Sequence, residues 1–149
     1  MMVCSRAPEP TTKIFTRLPY SGGLASVWQM ALKRIAQSDG QAALLAWAGG
    51  TASAEDEARA TRYCLQLLRD AAPGKSVEVR VPPYGAAQVI EGPHHTRGTP
   101  PAVIEMEPET WLRLATGAQG FAEAKGQGAV SASGERADLT AWLPLTWLP

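Results

Sequence analysis

Two adjacent histidines, His94 and His95, are the residues of this sequence whose types most readily suggest chemistry. Imidazole and carboxylate groups bind zinc, and Glu91 and Glu105 lie near them in the chain. Neighbouring side chains of an extended segment point in opposite directions, however, and ligand pairs on one element prefer i,i+2 or i,i+4 spacing. We therefore expect a polar loop and no metal site. An enzyme using His94, His95 and Glu91 is the alternative that requires these groups to converge.

Other patterns that could support catalysis are incomplete. The sequence has two cysteines, Cys4 and Cys64. Cys64 lies among leucines in a predicted helix, where a thiol is more often buried and inert, and no structural disulfide is expected. The serines before Gly134 lack the G-x-S-x-G pattern, and the glycine-rich stretch 117–128 lacks phosphate-loop and dinucleotide-binding patterns. We expect no catalytic residue and no cofactor.

Arg80 and Arg97 are candidate ligand contacts, because a guanidinium group binds a carboxylate or phosphate through two parallel hydrogen bonds. The competing interpretation is that these arginines pair with glutamates on neighbouring strands. The glutamates available for this are Glu78, Glu91 and Glu105. Both interpretations remain open at this point.

Aromatic residues suggest an apolar site. Five tryptophans are present, and three of them, Trp111, Trp142 and Trp147, lie in the last third of the chain among many alanines. Large aromatic side chains beside small ones can line an apolar cavity. They can equally form an ordinary packed core.

The segment Ser76–Met106 predicts the centre of the fold. Its valines alternate with Glu78 and Arg80, the period of a half-buried strand. The turn Pro82-Pro83-Tyr84-Gly85 ends this strand, and Ala86–Glu91 is the predicted return strand. A polar connection over Gly92–Pro101 leads to a third predicted strand, Ala102–Met106.

Helices are predicted before this sheet. A stripe of apolar residues indicates one over Leu24–Ala36, which Ser38-Asp39-Gly40 should break. A second short helix is predicted over Gln41–Ala48 and should end at Gly49-Gly50. Ser53-Ala54-Glu55-Asp56 has the spacing of a capping box and should start a long helix that stops at Pro73-Gly74.

Further elements are predicted after the sheet. Pro108 should start a helix that Gly117 ends, and a shorter helix follows over Phe121–Lys125. Ala129–Ser133 is a candidate fourth strand. The alternating apolar residues of Arg136–Leu145 favour a strand, although their types also suit a short helix.

Composition limits the class of protein. The 149 residues, 45% of them hydrophobic and 19% charged, predict an ordinary folded domain over 24–149, preceded by a flexible lead over 1–23. The formal net charge of zero argues against nucleic acid as a partner. No apolar run has the length of a signal peptide or membrane span, so we expect a cytoplasmic protein without an integral membrane segment.

Parts of the sequence resemble a known family. The frame from Val103 to Leu145, with its Leu-x-Leu-Ala-Thr-Gly helix and Gly-x-Val-x-x-Ser-Gly strand, resembles the carboxy-terminal half of the sterol carrier protein fold. The motifs Val79–Gly85 and Glu91–Pro101 are similar to its bacterial branch. A related domain occurs in mycothiol-dependent maleylpyruvate isomerases, but this chain is too short for their metal-binding domain, so isomerase activity is not expected.

The resemblance implies an α/β (α+β) fold, with a mainly antiparallel sheet of four to five strands covered on one face by helices. It favours a terminal helix over a strand for Arg136–Leu143. It also implies an apolar cavity between the layers that binds a lipid or fatty acyl ligand without chemistry. The expected ligand contacts are Trp111, Leu114, Ala115, Phe121, Val130, Leu139, Leu143, Arg80 and Arg97.

The alternative to a carrier is an accessory or protein-interaction module with a filled core. Such a module would use the polar loop Gly92–Pro101 to meet a protein partner or a second copy of the chain.

Overall fold

The computed structural model describes residues 33–92 and 101–147. Within these ranges the elements, in chain order, are α1 (Gln37–Ala48), α2 (Ala54–Ala71), β1 (Val77–Val81), β2 (Gly85–Val89), β3 (Ala102–Met106), α3 (Pro108–Thr116), α4 (Phe121–Gly126) and β4 (Val130–Ser133). The predicted lead over 1–23 lies outside the described residues. The first nine residues of the helix predicted over Leu24–Ala36 lie outside them too.

The strands form one sheet in the order β2-β1-β3-β4. The outer pairs β1–β2 and β3–β4 are antiparallel, and the central pair β1–β3 is parallel. Val79 lies opposite Ala87 of β2 and opposite Ile104 of β3. The predicted α+β class and mainly antiparallel four-stranded sheet are confirmed, and the one parallel pair lies at the centre.

One face of this sheet is apolar and packs on the helices. Its side chains are buried, namely Val77, Val79, Val81, Ala87, Val89, Ala102, Ile104, Met106 and Val130. They join the buried faces of the helices in a single core. The intervening residues, such as Glu78 and Glu105, are more exposed. The period-2 pattern of the valines therefore identified β1 and its buried face.

The capping box predicted for α2 is present. The Ser53 hydroxyl accepts a hydrogen bond from the Asp56 main-chain N–H at 3.1 Å, and an Asp56 carboxylate oxygen accepts one from the Ser53 N–H at 3.0 Å. Each side chain satisfies a main-chain donor that the first helical turn would leave free. The helix ends at Ala71, just before the predicted stop at Pro73.

The start of α1 corrects the sequence prediction. Ser38-Asp39-Gly40 does not break a helix but lies within the first turns of α1. Gly40 is required there because a Cβ atom would overlap the ring of Tyr63 on α2. The described part of the predicted earlier helix, residues 33–36, is not helical, since the Ile35 N–H and carbonyl bond to the amide of Gln66.

The elements after β3 follow the prediction up to β4. Pro108 is the first residue of α3, where its missing N–H costs nothing, and Gly117 ends that helix with a φ of 81°. The short helix α4 begins at the predicted Phe121 and β4 covers Val130–Ser133.

The terminal helix expected over Arg136–Leu143 is wrong. This segment is irregular, with one hydrogen-bonded turn in which Trp142 and Leu143 donate to the Leu139 carbonyl. The Asp138 carboxylate accepts from the Thr140 N–H at 2.7 Å, a local bond that competes with helix formation, and Pro144 prevents continuation. The strand alternative is not formed either.

Candidate functional site

The contact between α2 and α3 is organised by Trp111, whose side chain is fully buried. Its indole Nε1–H donates to the main-chain carbonyl of Thr61 at 3.2 Å. A buried indole contributes a large apolar area but requires a partner for its N–H group. This bond therefore fixes α3 against α2 at one defined position.

Seven apolar residues that the sequence suggested as ligand contacts belong to the single hydrophobic core. Six are buried, namely Trp111, Leu114, Ala115, Phe121, Val130 and Leu139. Leu143 is partly buried and packs against the same core. They come from α3, α4, β4 and the segment after β4, so elements distant in sequence converge between the sheet and the helices. In the described conformation they pack together with little solvent access.

The cover over this cluster consists of α4 and the irregular segment Ala137–Leu145. Only Phe121 and Ala124 of α4 are buried. The irregular segment is attached to α3 by a hydrogen bond from the Leu145 N–H to the Ala115 carbonyl at 2.9 Å. Because the irregular segment has neither a helix nor a strand ladder, it is held by fewer main-chain bonds than the sheet.

A cleft of about 750 Å³ opens where the end of α1, the start of α2 and the exposed side of α3 meet. We call it the corner cleft. Its lining residues are Trp47, Ala48, Gly50, Ala52, Ser53, Ala54, Glu57, Glu109, Arg113, Thr116 and Ala118. It combines an indole, several alanines, two carboxylates and one guanidinium group. Its size suits a small organic molecule.

The turn of the β1–β2 hairpin reaches the wall of the corner cleft. The Tyr84 hydroxyl donates to a carboxylate oxygen of Glu57 at 3.2 Å. Partial burial and the neighbouring Glu57 carboxylate raise the pKa of Tyr84. A Cβ atom at Gly85 would touch Leu65 of α2 at 3.5 Å, so the turn also packs closely on that helix.

A second cleft, of about 460 Å³, lies beside α2 near the end of the described chain. Its lining residues are Arg34, Ile35, Gln37, Tyr63, Gln66, Leu67, Thr146 and Trp147. The Arg34 guanidinium donates a hydrogen bond to the Asp70 carboxylate. This contact holds the pKa of Asp70 below its usual range. Several polar groups of this cleft thus already have protein partners.

The structure places one predicted arginine contact, Arg80, away from the apolar cluster. Arg80 lies on β1 between Val79 and Val81, so its side chain projects from the opposite face of the sheet. There it pairs with Glu78, Nε to Oε1, at 2.5 Å. Arg97 lies outside the described residues, as do His94 and His95.

The thiol considered for catalysis is buried. Cys64 is a free cysteine with no exposed surface, and burial raises its pKa to about 12. A protonated buried thiol is a poor nucleophile, as the sequence suggested. Within 33–92 and 101–147, no three His, Cys, Asp or Glu side chains come together as metal ligands would. No helix in those ranges has the length and apolarity needed to cross a bilayer.

Sequence reasoning missed one polar residue in the apolar layer. Thr61 is fully buried on α2, and among the described residues its hydroxyl has no hydrogen-bond partner. The available signal was a hydroxyl-bearing residue on the apolar stripe of an amphipathic helix. That position predicts burial, but the local pattern does not show whether the hydroxyl finds a partner.

The family model described as bacterial SCP (sterol carrier protein) orthologue matches residues 53–145. The chain belongs to this family. A search of curated proteins found no match.

The bacterial SCP match begins at Ser53, the N-cap of α2, and ends at Leu145, whose N–H bonds to α3. It therefore includes the sheet, the apolar cluster and its cover. Helix α1 lies before the match, so Trp47 and Ala48 on the wall of the corner cleft are contributed by a part of this chain outside the SCP region.

Proposed function

We propose that this protein binds an apolar ligand, a lipid or fatty acyl chain, between its sheet and helices and performs no chemistry of its own. The observation that carries the proposal is that the seven apolar residues belong to one core in a chain of the bacterial SCP family. The buried, protonated thiol of Cys64 is consistent with a binding role.

Burial of apolar surface would drive the binding. Each methylene group removed from water contributes about 0.8 kcal/mol. A long acyl chain thus offers enough free energy to offset the costs of association and of ordering the chain. The aromatic rings of Trp111 and Phe121, with the branched side chains of Leu114 and Val130, would provide the contact surface.

Entry of a ligand requires the cover to move, because the seven residues are packed in the described conformation. Displacing the segment Ala137–Leu145 would uncover Leu139, Leu143 and the adjoining face of α3. The cost of this opening is smaller than that of separating the sheet from α2, because the segment forms no regular element.

The direct test uses a brominated fatty acid, such as 9,10-dibromostearic acid, which quenches tryptophan fluorescence on contact. The protein would carry Trp111 alone, with Trp28, Trp47, Trp142 and Trp147 changed to phenylalanine. We expect saturable quenching at one ligand per protein. Binding measured by equilibrium dialysis without quenching would place the ligand elsewhere, and absence of binding would refute the carrier function.

A pair of variants on β4 tests the location separately. Val130→Trp fills the apolar layer, whereas Ser131→Trp adds the same side chain on the exposed side of the strand. We expect fatty acid binding to fall at least tenfold for Val130→Trp and to stay within twofold for Ser131→Trp. The quenching experiment remains informative if Val130→Trp proves too unstable to purify.

The alternative function, a protein-interaction module with a filled core, is favoured by one observation: six of the seven predicted contacts are almost inaccessible. Native mass spectrometry after gentle purification separates the two. A bound lipid or acyl species favours the carrier, and a bare mass that takes up neither fatty acid nor acyl-coenzyme A favours the module.

A further inference from the structure

Thr61 presents an unpaired polar group inside the apolar layer. Threonine in a helix usually bonds its hydroxyl to a main-chain carbonyl three or four residues earlier. Thr116 of α3 does so, donating to the Leu112 carbonyl at 2.8 Å. The fully buried hydroxyl of Thr61 has no partner among the described residues. A buried polar group without a partner destabilises the folded state, so its retention needs an explanation.

The surroundings of this hydroxyl are apolar. The main-chain carbonyl of Thr61 accepts the indole N–H of Trp111, so the residue lies beside one of the predicted ligand contacts. Buried neighbours on α2 are apolar, among them Ala58, Cys64 and Leu65. A molecule lying in this layer would meet one hydrogen-bonding group and apolar surface elsewhere.

The corner cleft approaches the same position. Glu57, on its wall, precedes Thr61 by one turn on the same face of α2, a rise of about 6 Å along the helix axis. On α3 the cleft is lined by Glu109 and Arg113, which come two residues before and two residues after Trp111 in the chain. The cleft and the buried hydroxyl thus lie along one contact between two helices.

The charges near this position indicate what kind of polar group can be bound. Among the described residues, the buried polar or charged side chains are Thr61 and Ser76, and the Ser76 hydroxyl bonds to the Ile90 carbonyl at 2.7 Å. Among the described residues, no buried cationic side chain would therefore pair with a carboxylate at Thr61. A neutral hydroxyl or carbonyl group loses far less on leaving water.

We propose that the Thr61 hydroxyl is the polar anchor of the ligand site and selects a neutral amphipath, a long apolar chain bearing a hydroxyl or carbonyl group. This inference rests on the proposed function and adds to it the ligand class and the residue that recognises it. The hydroxyl of Thr61 can donate to either group and can also accept from a ligand hydroxyl.

The experiment compares three probes of equal chain length, 1-dodecanol, dodecane and laurate, each displacing the fluorescent hydrocarbon diphenylhexatriene. Thr61→Val keeps the shape and removes the hydroxyl, and Thr61→Ser keeps the hydroxyl. We expect Thr61→Val to weaken 1-dodecanol at least tenfold and dodecane less than twofold. Thr61→Ser should stay within threefold of wild type for both, and wild type should bind 1-dodecanol more tightly than laurate.

The result can separate this inference from the proposed function. Suppose that wild-type protein binds diphenylhexatriene and dodecane. If Thr61→Val then weakens the binding of 1-dodecanol and dodecane equally, or weakens neither, the hydroxyl is not an anchor, although the carrier function stands. If wild-type protein binds none of the probes, both are overturned. Tighter binding of laurate than of 1-dodecanol would refute the preference for a neutral group.

Discussion

The indole Nε1–H of Trp111 donates to the main-chain carbonyl of Thr61, 3.2 Å away and fifty positions earlier in the chain. This bond lies inside the contact between α2 and α3, where neither group meets solvent. It joins α2, the clearest helix of the sequence, to the helix that follows β3. The relative position of these two helices therefore depends on one aromatic side chain.

Trp111→Phe should lower the free energy of unfolding by about 2–3 kcal/mol, because it removes the indole hydrogen bond and leaves a cavity. Urea denaturation followed by circular dichroism measures this. Trp142→Phe, at a position that is 37% exposed, is the matched control and should change stability by less than about 0.5 kcal/mol. Equal effects at both positions would contradict the anchoring role of Trp111.

Gly40→Ala should destabilise the protein although alanine is the better helix former. A Cβ atom at Gly40 would overlap the Tyr63 ring, so we expect a loss of about 1–3 kcal/mol from displacement of α1. Gly126→Ala in α4 meets no atom within 4 Å and should be neutral or stabilising. Thermal unfolding of the two variants shows whether the packing clash or the helix propensity of alanine dominates at each position. A Gly40→Ala protein as stable as wild type would show that α1 can move away from Tyr63 without cost.

Ser53→Ala should cost about 1 kcal/mol at neutral pH through loss of the helix cap. Two hydrogen bonds to the Asp56 carboxylate hold its pKa below the ordinary value of 3.8. The bond from the Ser53 side chain has the larger effect, and the bond from the Ser53 N–H has the smaller one. A lowered carboxyl pKa stabilises the folded state fully above pH 3.8 and progressively less as the pH falls through the folded-state pKa. The difference between wild type and Ser53→Ala should thus shrink below about pH 4 in a series of urea titrations; a constant difference would contradict this coupling.

Cys64 should resist alkylation in the folded protein and react completely in denaturant. Its pKa of about 12 reflects burial of the thiol. Because the folded state favours the protonated thiol, burial of this thiol contributes fully to the free energy of unfolding below the ordinary thiol pKa of 9.0. The contribution declines as the pH rises from there towards 12. Iodoacetamide labelling of a Cys4→Ser variant, followed by intact mass, tests this. Rapid labelling under native conditions would show that Cys64 is accessible.

Arg80 and Arg97 should behave differently as ligand contacts. Arg80 pairs with Glu78 on the face of the sheet opposite Trp111, so Arg80→Ala should change fatty acid affinity less than twofold. Arg97 remains a predicted contact, and Arg97→Ala should weaken a fatty acid more than its methyl ester. If Arg97→Ala changes the affinity for the acid and for the ester equally, Arg97 is not a contact of the ligand carboxylate.

The strands and the long helix were predictable because their signals are local. The valines of β1 alternate every second residue, and the capping box at Ser53 needs only four neighbouring residues. Pro108 and Gly117 mark the ends of α3 by their own backbone preferences. Each signal can be interpreted without knowing what lies across the fold.

Features that depend on distant partners were not predictable. Gly40 suggested a break, but it serves close packing on Tyr63, twenty-three positions later. The segment after β4 has the apolar pattern of a strand and the composition of a helix, and forms neither, because Asp138 bonds locally and Leu145 bonds to α3. The bond between the Thr61 carbonyl and the Trp111 indole likewise joins residues fifty positions apart.

The side chain of Gln41 in α1 donates to the main-chain carbonyl of Trp147 at 2.6 Å. These two residues lie beyond opposite ends of the bacterial SCP region, so the chain that enters this region and the chain that leaves it are joined. The start of α1 and the end of the described chain therefore lie close together. A circularly permuted version of residues 37–147, with a short linker from Trp147 to the first residue of α1 and new termini in the exposed turn Gln127-Gly128 after α4, is expected to keep every strand pairing of the sheet.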